Sequence, residues 1–376
     1  MQTAETAPTR SSAFPPAVCD VSVTNMCNAT CDFCGFANDK GLVRDRRSID
    51  RTRFAQALPI LHRRGVRYVN FQGGEPLLHP EIVGLVADTR RAGLHPSLIT
   101  NGWHLPRDIA RLADAGLSNL LVSIDSADMA AHEANRGLRG LGERIGQGLA
   151  EARRRRIPAI ASVTLSRLAK LADLPDALRG LGFSAVTFSY PRRAPFGSSS
   201  LVYSEDSDLI AFSQAELLKA LDQIAVVRKR FPVLNPAASV ADIQRHHKGE
   251  PERFPCVGGH RYFYIDWNLD IWRCEAWQEK LGSVFDLDQI PAMRDHCTAC
   301  TMSCYRDTSV LMHGAIAAMD AASALRKGEV GQAARTLFQP PVATSLRAGL
   351  RASALLLRMA KRPTRGDQPA DQGRTG

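Results

Sequence analysis

The sequence predicts an α/β protein: a partial (βα)6 TIM-like barrel, then a small cysteine-rich domain, then a helical C-terminal tail. Three observations carry this. Strand and helix signals alternate between residues 18 and 191, polar and metal-binding residue types fall just after the first four strand signals, and the nine cysteines gather in two bunches.

Taken in order, VSVT (21–24) reads as a strand leading into the first cysteines. Residues 50–64 read as a helix with Asp50 as N-cap and Phe54, Leu58 and Leu61 on one face. VRYVNF (66–71) is the second strand, 79–92 a helix, and HPSLIT (95–100) the third strand. A helix over 105–115 precedes NLLVSID (119–125), and a long helix over 140–155 precedes IPAIASVTL (157–165). A helix over 172–181 and the strand SAVTFSY (184–190) close the series. Six strands separated by helices imply a parallel sheet with right-handed crossovers. Eight would be needed for a closed barrel.

The expected organisation is a flexible N-terminus (1–17), the barrel (18–195), a connecting helical segment (196–255), the cysteine-rich domain (256–310) and a helical, basic tail (311–376). The connection over 191–204 is Pro/Gly/Ser-rich, 205–231 reads as a helix, 232–255 is poorly patterned, and 362–376 reads as disordered.

Composition is that of a soluble chain, with 44% hydrophobic and 23% charged residues and no apolar run of membrane-spanning length. Residues 1–17 lack the apolar stretch of a signal peptide. Closely spaced cysteines suit metal ligation in a reducing cytoplasm better than disulfide pairing. The net charge of +10 owes about half its excess to the tail, where seven Lys/Arg stand against two Asp from Ala343 onward. Arg153 to Arg156 form a second basic block, read as a solvated face. Neither block is interleaved with aromatics, which speaks against nucleic acid as a partner. Over 343–361, leucines alternate with Arg347, Arg351, Arg358 and Lys361. This basic amphipathic pattern suits packing on protein or peripheral contact with an anionic membrane. Cys19 reads as a buried hydrophobe, and His95, His246 and His247 as surface residues.

The chemistry concentrates in CNATCDFC, where Cys27, Cys31 and Cys34 stand as Cys-x3-Cys-x2-Cys, far from any later cysteine. Three thiolates suit an iron–sulfur cluster or zinc. On a four-iron cubane they leave one iron open, the mark of a reactive metal site. Gly73-Gly74-Glu75 follows the second strand, Asn101 the third, and Ser123 and Asp125 close the fourth, so all gather at the carboxyl-end rim where α/β folds place working groups.

The cysteine spacing, with Phe33 before the third cysteine, resembles the cluster motif of the radical S-adenosylmethionine (radical SAM) enzymes. The resemblance covers about residues 18–310 and implies the same partial barrel. It implies a [4Fe–4S] cluster on Cys27, Cys31 and Cys34 whose open iron chelates S-adenosylmethionine. Reductive cleavage then yields a 5′-deoxyadenosyl radical that abstracts hydrogen from a substrate. By the same resemblance, Gly73, Gly74 and Glu75 meet the methionine amino group, while Asn101, Ser123, Asp125 and Arg136 (in HEANRG) approach its carboxylate or the ribose.

The later cysteines are Cys256, Cys274, Cys297, Cys300 and Cys304. YFYIDWNLDIWRC between the first two alternates like a hairpin about Asn268. The segment resembles the SPASM and twitch auxiliary-cluster domains, although Leu269 stands where the SPASM pattern has glycine, and no cysteine follows Cys304. One auxiliary [4Fe–4S] cluster is implied, with Cys256, Cys274, Cys297 and either Cys300 or Cys304 as ligands. Structural zinc is the competing reading of the same thiols. The expected protein is thus an oxidoreductase-like radical SAM enzyme served by a reductant such as flavodoxin or ferredoxin. A small-molecule or lipid-like substrate is preferred, with ribosomal peptide maturation second and a non-catalytic metal-binding scaffold as the competing class.

Overall fold

A computed structural model of the chain describes residues 15–38, 44–191 and 207–361. The expected flexible residues up to 14, most of the 191–204 connection and the 362–376 tail lie outside the described residues.

Six strands form the parallel core: β1 (Ala17–Ser22), β2 (Val66–Gln72), β3 (His95–Thr100), β4 (Asn119–Ser123), β5 (Ala159–Thr164) and β6 (Ala185–Ser189). Each is hydrogen-bonded in parallel to its sequence neighbour, as the alternating pattern requires. The sheet does not end at β1. The strands β7 (Tyr262–Ile265), β8 (Asp270–Trp272) and β9 (Lys280–Ser283) extend it to the order β6-β5-β4-β3-β2-β1-β7-β8-β9. Val18–Val21 pair with Tyr262–Ile265 in parallel, and the expected hairpin is the antiparallel pair β7–β8. The cysteine-rich segment therefore shares its sheet with the barrel.

Several boundaries move for identifiable reasons. The first strand begins at Ala17 rather than at Val21, because β2 pairs its backbone from Ala17 and β7 from Val18 onward. The helix expected over 205–231 is Gln214–Arg230. Ser213 accepts from the Glu216 N–H while the Glu216 carboxylate accepts from the Ser213 N–H, a capping box that fixes its start. The poorly patterned stretch 232–255 contains the helix Ala237–His247, and Met129–Arg136 forms a helix that the strand–helix count passes over. Asp50 caps its helix as expected, accepting from the Arg53 N–H at 2.7 Å, a contact worth about 1 kcal/mol. Phe54 from that helix meets Phe71 of β2 edge-on at 5.7 Å.

One apolar core runs from Ala17 through the barrel to Leu269, Ile271 and Leu287. Cys19 is fully buried within it, and burial pushes its thiol well up, as befits a hydrophobe. His246 and His247 are half-buried rather than at the surface, with His246 Nδ1 2.7 Å from Glu252. The tail folds as Ser303–Arg326, Val330–Leu337 and Pro340–Lys361. Ser345 Oγ accepts from the Gly314 N–H at 2.8 Å, whereas Leu350, Leu356 and Leu357 stay exposed and uncovered by the chain's own described residues. No helix among the described residues is long and apolar enough to cross a membrane.

At the β7–β8 turn, Asp266 Oδ1 accepts from the N–H groups of Asn268 (2.8 Å) and Asp270 (3.1 Å). Leu269 is held there at φ +66°, the left-handed region in which glycine costs least. Its side chain is 2% exposed and packs into the main core, which offsets the backbone strain. Leu269→Gly is therefore expected to destabilise the chain by about 1–3 kcal/mol, since the lost burial exceeds the relieved strain. Urea unfolding of the two chains checks this.

Candidate active site

The loop after β1 carries Cys27, Cys31 and Cys34, and the loop after β2 lies directly on it. The Gly74 N–H donates to Thr24 O at 2.8 Å and the Glu75 N–H to Met26 O at 2.7 Å. A Cβ on Gly73 would come 2.4 Å from Thr24 O, and one on Gly74 2.2 Å from Met26 O. Gly73 also sits at φ +137°. The glycines are thus demanded by two backbones in contact, although both also border the central cavity.

Glu75 turns away from the cavity. It is buried, it does not border the cavity, and its carboxylate is turned inward. Oε1 accepts from the Leu77 N–H (2.9 Å) and Thr100 Oγ1 (2.7 Å), and Oε2 from the Asn101 N–H (2.7 Å). Burial raises its carboxyl, and these hydrogen bonds counter the rise. It braces the loops after β2 and β3.

Asp125 is likewise buried and does not border the cavity. Arg136 Nη2 donates to its Oδ1 at 2.6 Å, Asn135 Nδ2 donates to its Oδ2 at 2.9 Å, and the Asp125 N–H donates to His132 Nδ1 at 3.1 Å. Burial alone would push the Asp125 carboxyl up, but Arg136 and His132 hold it well below the usual carboxylate range. Arg136 is itself buried and borders the cavity; its positive charge is strengthened by Asp125 and Cys31. The Thr30 N–H donates to Arg136 O at 3.0 Å, tying the helix end to the cysteine loop. His132 was invisible to spacing arguments because it works through one carboxylate of another element.

Phe33, Asn101 and Ser123 border the cavity. Asn101 is oriented by two neighbours, donating from Nδ2 to Asn28 Oδ1 (2.8 Å) and accepting at Oδ1 from the Trp103 N–H (2.9 Å). The cavity measures about 290 Å³ and is bounded by the three cysteines, the carboxyl ends of the strands and residues 302–307.

The donor set fits a cluster with an open corner. Burial pushes the Cys27 and Cys31 thiols up to about 12, which disfavours bare thiolates; a bound metal offsets such a cost. Arg136 acts in the opposite direction on Cys31, supplying positive charge where thiolates would gather. The Ala29 N–H donates to Cys27 Sγ at 3.5 Å.

The later cysteines divide. Cys256 feels the thiols of Cys300 and Cys297, and Cys274 those of Cys300 and Cys256. The Gly258 N–H donates to Cys256 Sγ at 3.4 Å. Arg273, buried and donating to Asp295 at 2.6 Å, places a cation beside Cys297 and Cys256. Cys304, in the first turn of Ser303–Arg326, instead neighbours Glu275 and Asp20, and all three ligand atoms lie within 4.8 Å of one another on the cavity side. Asp20 and Glu275 were not foreseen. The only signals were an acid inside the apolar strand AVCDVS and an acid directly after Cys274. Burial lifts the Asp20 carboxyl to about 6, and lifts that of Glu275 well up with Asp20 adding to the rise.

A sequence model described as the radical SAM superfamily matches residues 21–168. The PqqA peptide cyclase of Xanthomonas axonopodis pv. citri is 25% identical over 280 residues, covering 73% of this chain and 72% of that protein. GTP 3′,8-cyclase 2 of Mycobacterium tuberculosis is 35% identical over 165 residues, 42% of this chain and 45% of that protein. Among solved structures, Streptococcus suis SuiB bound to S-adenosylmethionine superposes with a TM-score of 0.57 at 16% identity, covering 74% of this chain and 66% of that one.

Two outcomes are expected. Asp125→Asn leaves a buried guanidinium unpaired and lowers stability by about 3–5 kcal/mol, much of it recovered when Arg136→Met is added. Because the native Asp125 carboxyl lies below its unfolded value, its contribution is complete above pH ~4 and is lost as pH falls further. Urea unfolding of the wild-type chain and both variants from pH 7 to 3 checks both statements. Separately, Cys304→Ser should retain about eight irons per chain, whereas Cys300→Ala should fall to about four, by iron analysis after anaerobic reconstitution.

Proposed function

We propose that the chain is a radical SAM enzyme acting on a peptide substrate, with a second cluster beside the catalytic one; its residues 21–168 match the radical SAM superfamily model. The observation that carries the reading is the single cavity shared by the cysteine trio, Arg136, Asn101 and the far carboxylates. Cys27, Cys31 and Cys34 would hold a [4Fe–4S] cluster with one iron free for S-adenosylmethionine. Loaded with an electron, that pair supplies a 5′-deoxyadenosyl radical able to remove a substrate hydrogen.

The protein's own part is placement. Gly73 and Gly74 keep the loop after β2 flush against the cysteine loop, leaving backbone rather than side chains at the wall. Arg136 offers a cation at that wall, with its orientation set by Asp125. Phe33, 4% exposed, excludes water beside the trio. Cys256, Cys274, Cys297 and Cys300 would hold the auxiliary cluster, with Arg273 moderating its negative charge. A flavodoxin- or ferredoxin-like protein would deliver the electron.

The peptide reading, second in the sequence analysis, is favoured here because the PqqA peptide cyclase similarity runs through 73% of the chain. The GTP 3′,8-cyclase similarity is confined to 42% of it. Anaerobic incubation of the reconstituted chain with S-adenosylmethionine and dithionite should release 5′-deoxyadenosine. Changing Cys27, Cys31 and Cys34 together to alanine should reduce this by about 100-fold or more. Cleavage that survives in the triple variant would overturn the assignment.

A further inference from the structure

The helix Pro340–Lys361 contains no acidic residue and no aromatic one. From Ala321 to Lys361 the chain carries seven Lys or Arg against the single acid Glu329. One side of the helix is anchored on the protein. Val342 and Ser345 are buried, and Ser345 Oγ accepts from the Gly314 N–H of the helix Ser303–Arg326. Ala348, Ala352 and Met359 continue that side, half-buried. The remaining circumference holds two parallel rows. At 3.6 residues per turn, Leu346, Leu350 and Leu357 fall within about 40° of one another, and Arg347, Arg351 and Arg358 lie about 100° round from them. The leucines are 56%, 72% and 61% exposed, and the three arginines are exposed as well. Leu346 touches the protein only where it lies over Gly314. Phe338, just ahead of the helix, is 85% exposed.

A single leucine in water needs no explanation, but a row of them flanked by charge marks a surface that another phase or molecule covers. The charge beside the row is uncompensated from within: the helix supplies no acid, and Arg351 lies near a further cation, Arg228, adding to the downward pull that burial exerts on that guanidinium. Charge complementarity therefore calls for an anionic occupant with an apolar layer next to its charges. An anionic phospholipid surface has both, headgroup phosphates for the arginines and acyl chains for the leucines. A protein partner fits less well, because protein contacts centre on Tyr and Trp anchors and this helix has neither. A second copy of the chain would set one acid-free arginine row against another, which like-charge repulsion opposes.

We propose that this face rests on an anionic phospholipid surface as a peripheral helix lying in its plane, with Leu346, Leu350 and Leu357 in the acyl boundary and Arg347, Arg351 and Arg358 among the headgroup phosphates. No described helix is long and apolar enough to cross a membrane, so the contact is one of lying on rather than spanning. None of these six residues borders the central cavity, and the proposal goes beyond the peptide reading without resting on it.

The test uses the reconstituted full chain under anaerobic conditions, with co-sedimentation on vesicles of phosphatidylcholine alone and of phosphatidylcholine containing about 30% phosphatidylglycerol. The anionic vesicles should bind the chain about 100-fold more tightly than the neutral ones, since each of three arginines near an anionic surface contributes about fivefold. Raising salt to about 0.5 M should erase most of that preference. Changing Arg347, Arg351 and Arg358 together to Gln should remove it, and Leu350→Ser with Leu357→Ser should weaken anionic binding about 10-fold or more. Iron content and the urea midpoint, read on the same samples, show that the variants are folded and loaded. Leu350→Trp gives a reading that depends on no loss of binding: its fluorescence, over that of the wild type, should be quenched by lipids brominated in the acyl chain. Equal partition onto both vesicle types overturns the proposal, as does an anionic preference that survives the triple arginine change. Sedimentation with vesicles while the introduced tryptophan stays unquenched leaves the leucines outside the acyl layer and likewise rejects it. A dimer that forms without lipid and dissociates in the double leucine variant, read by sedimentation equilibrium, gives the face to a second copy and rejects it too.

Discussion

Two backbone hydrogen bonds hold the candidate site together: Gly74 to Thr24 and Glu75 to Met26. They press the loop after β2 onto the loop that carries the cysteines, at a distance only residues without a Cβ allow. The Glu75 carboxylate then extends the contact to the end of β3 through Thr100 and Asn101. Three loops that the barrel merely brings to one rim thereby become one rigid wall. The cysteine spacing has meaning only because this wall fixes where the thiols point.

Charge is distributed around the same wall in a consistent way. The cysteine side receives Arg136, whose burial is tolerable because Asp125 is buried with it. The later thiols receive Arg273, paired with Asp295. The acids Asp20 and Glu275 border the same cavity, Asp20 accepting from Asn70 and Glu275 from Gln72. A bound cluster is negatively charged, so cations beside the thiols form complementary surroundings.

Much of this was legible in the chain. The parallel series was readable because each strand and helix declares its period locally, and Asp50 announced its cap. The site loops were readable because strand ends are where α/β folds place them. What escaped reading depended on distance in sequence. Glu75 and Asp125 fall near the rim, but the direction of each carboxylate is set by partners such as Asn101 and Arg136 that no spacing rule reports. The pairing of Asp20 with Glu275 is non-local in the same sense. The start of Gln214–Arg230 is a different case: Ser213 and Glu216 spell a capping box in the sequence itself. Leu269 also carried a signal, since a turn that prefers glycine had to find its compensation in the core.

The extension of the barrel sheet by β7 bears on how the chain is made. Val18–Val21 present a free sheet edge until Tyr262–Ile265 have been synthesised, because those residues are their partners on that side. Pairings so remote along the chain form slowly, and an open strand edge is prone to recruit the wrong neighbour in the meantime. The late hairpin thus covers an edge whose strand emerged long before it, and this join of the two ends of the chain is completed last.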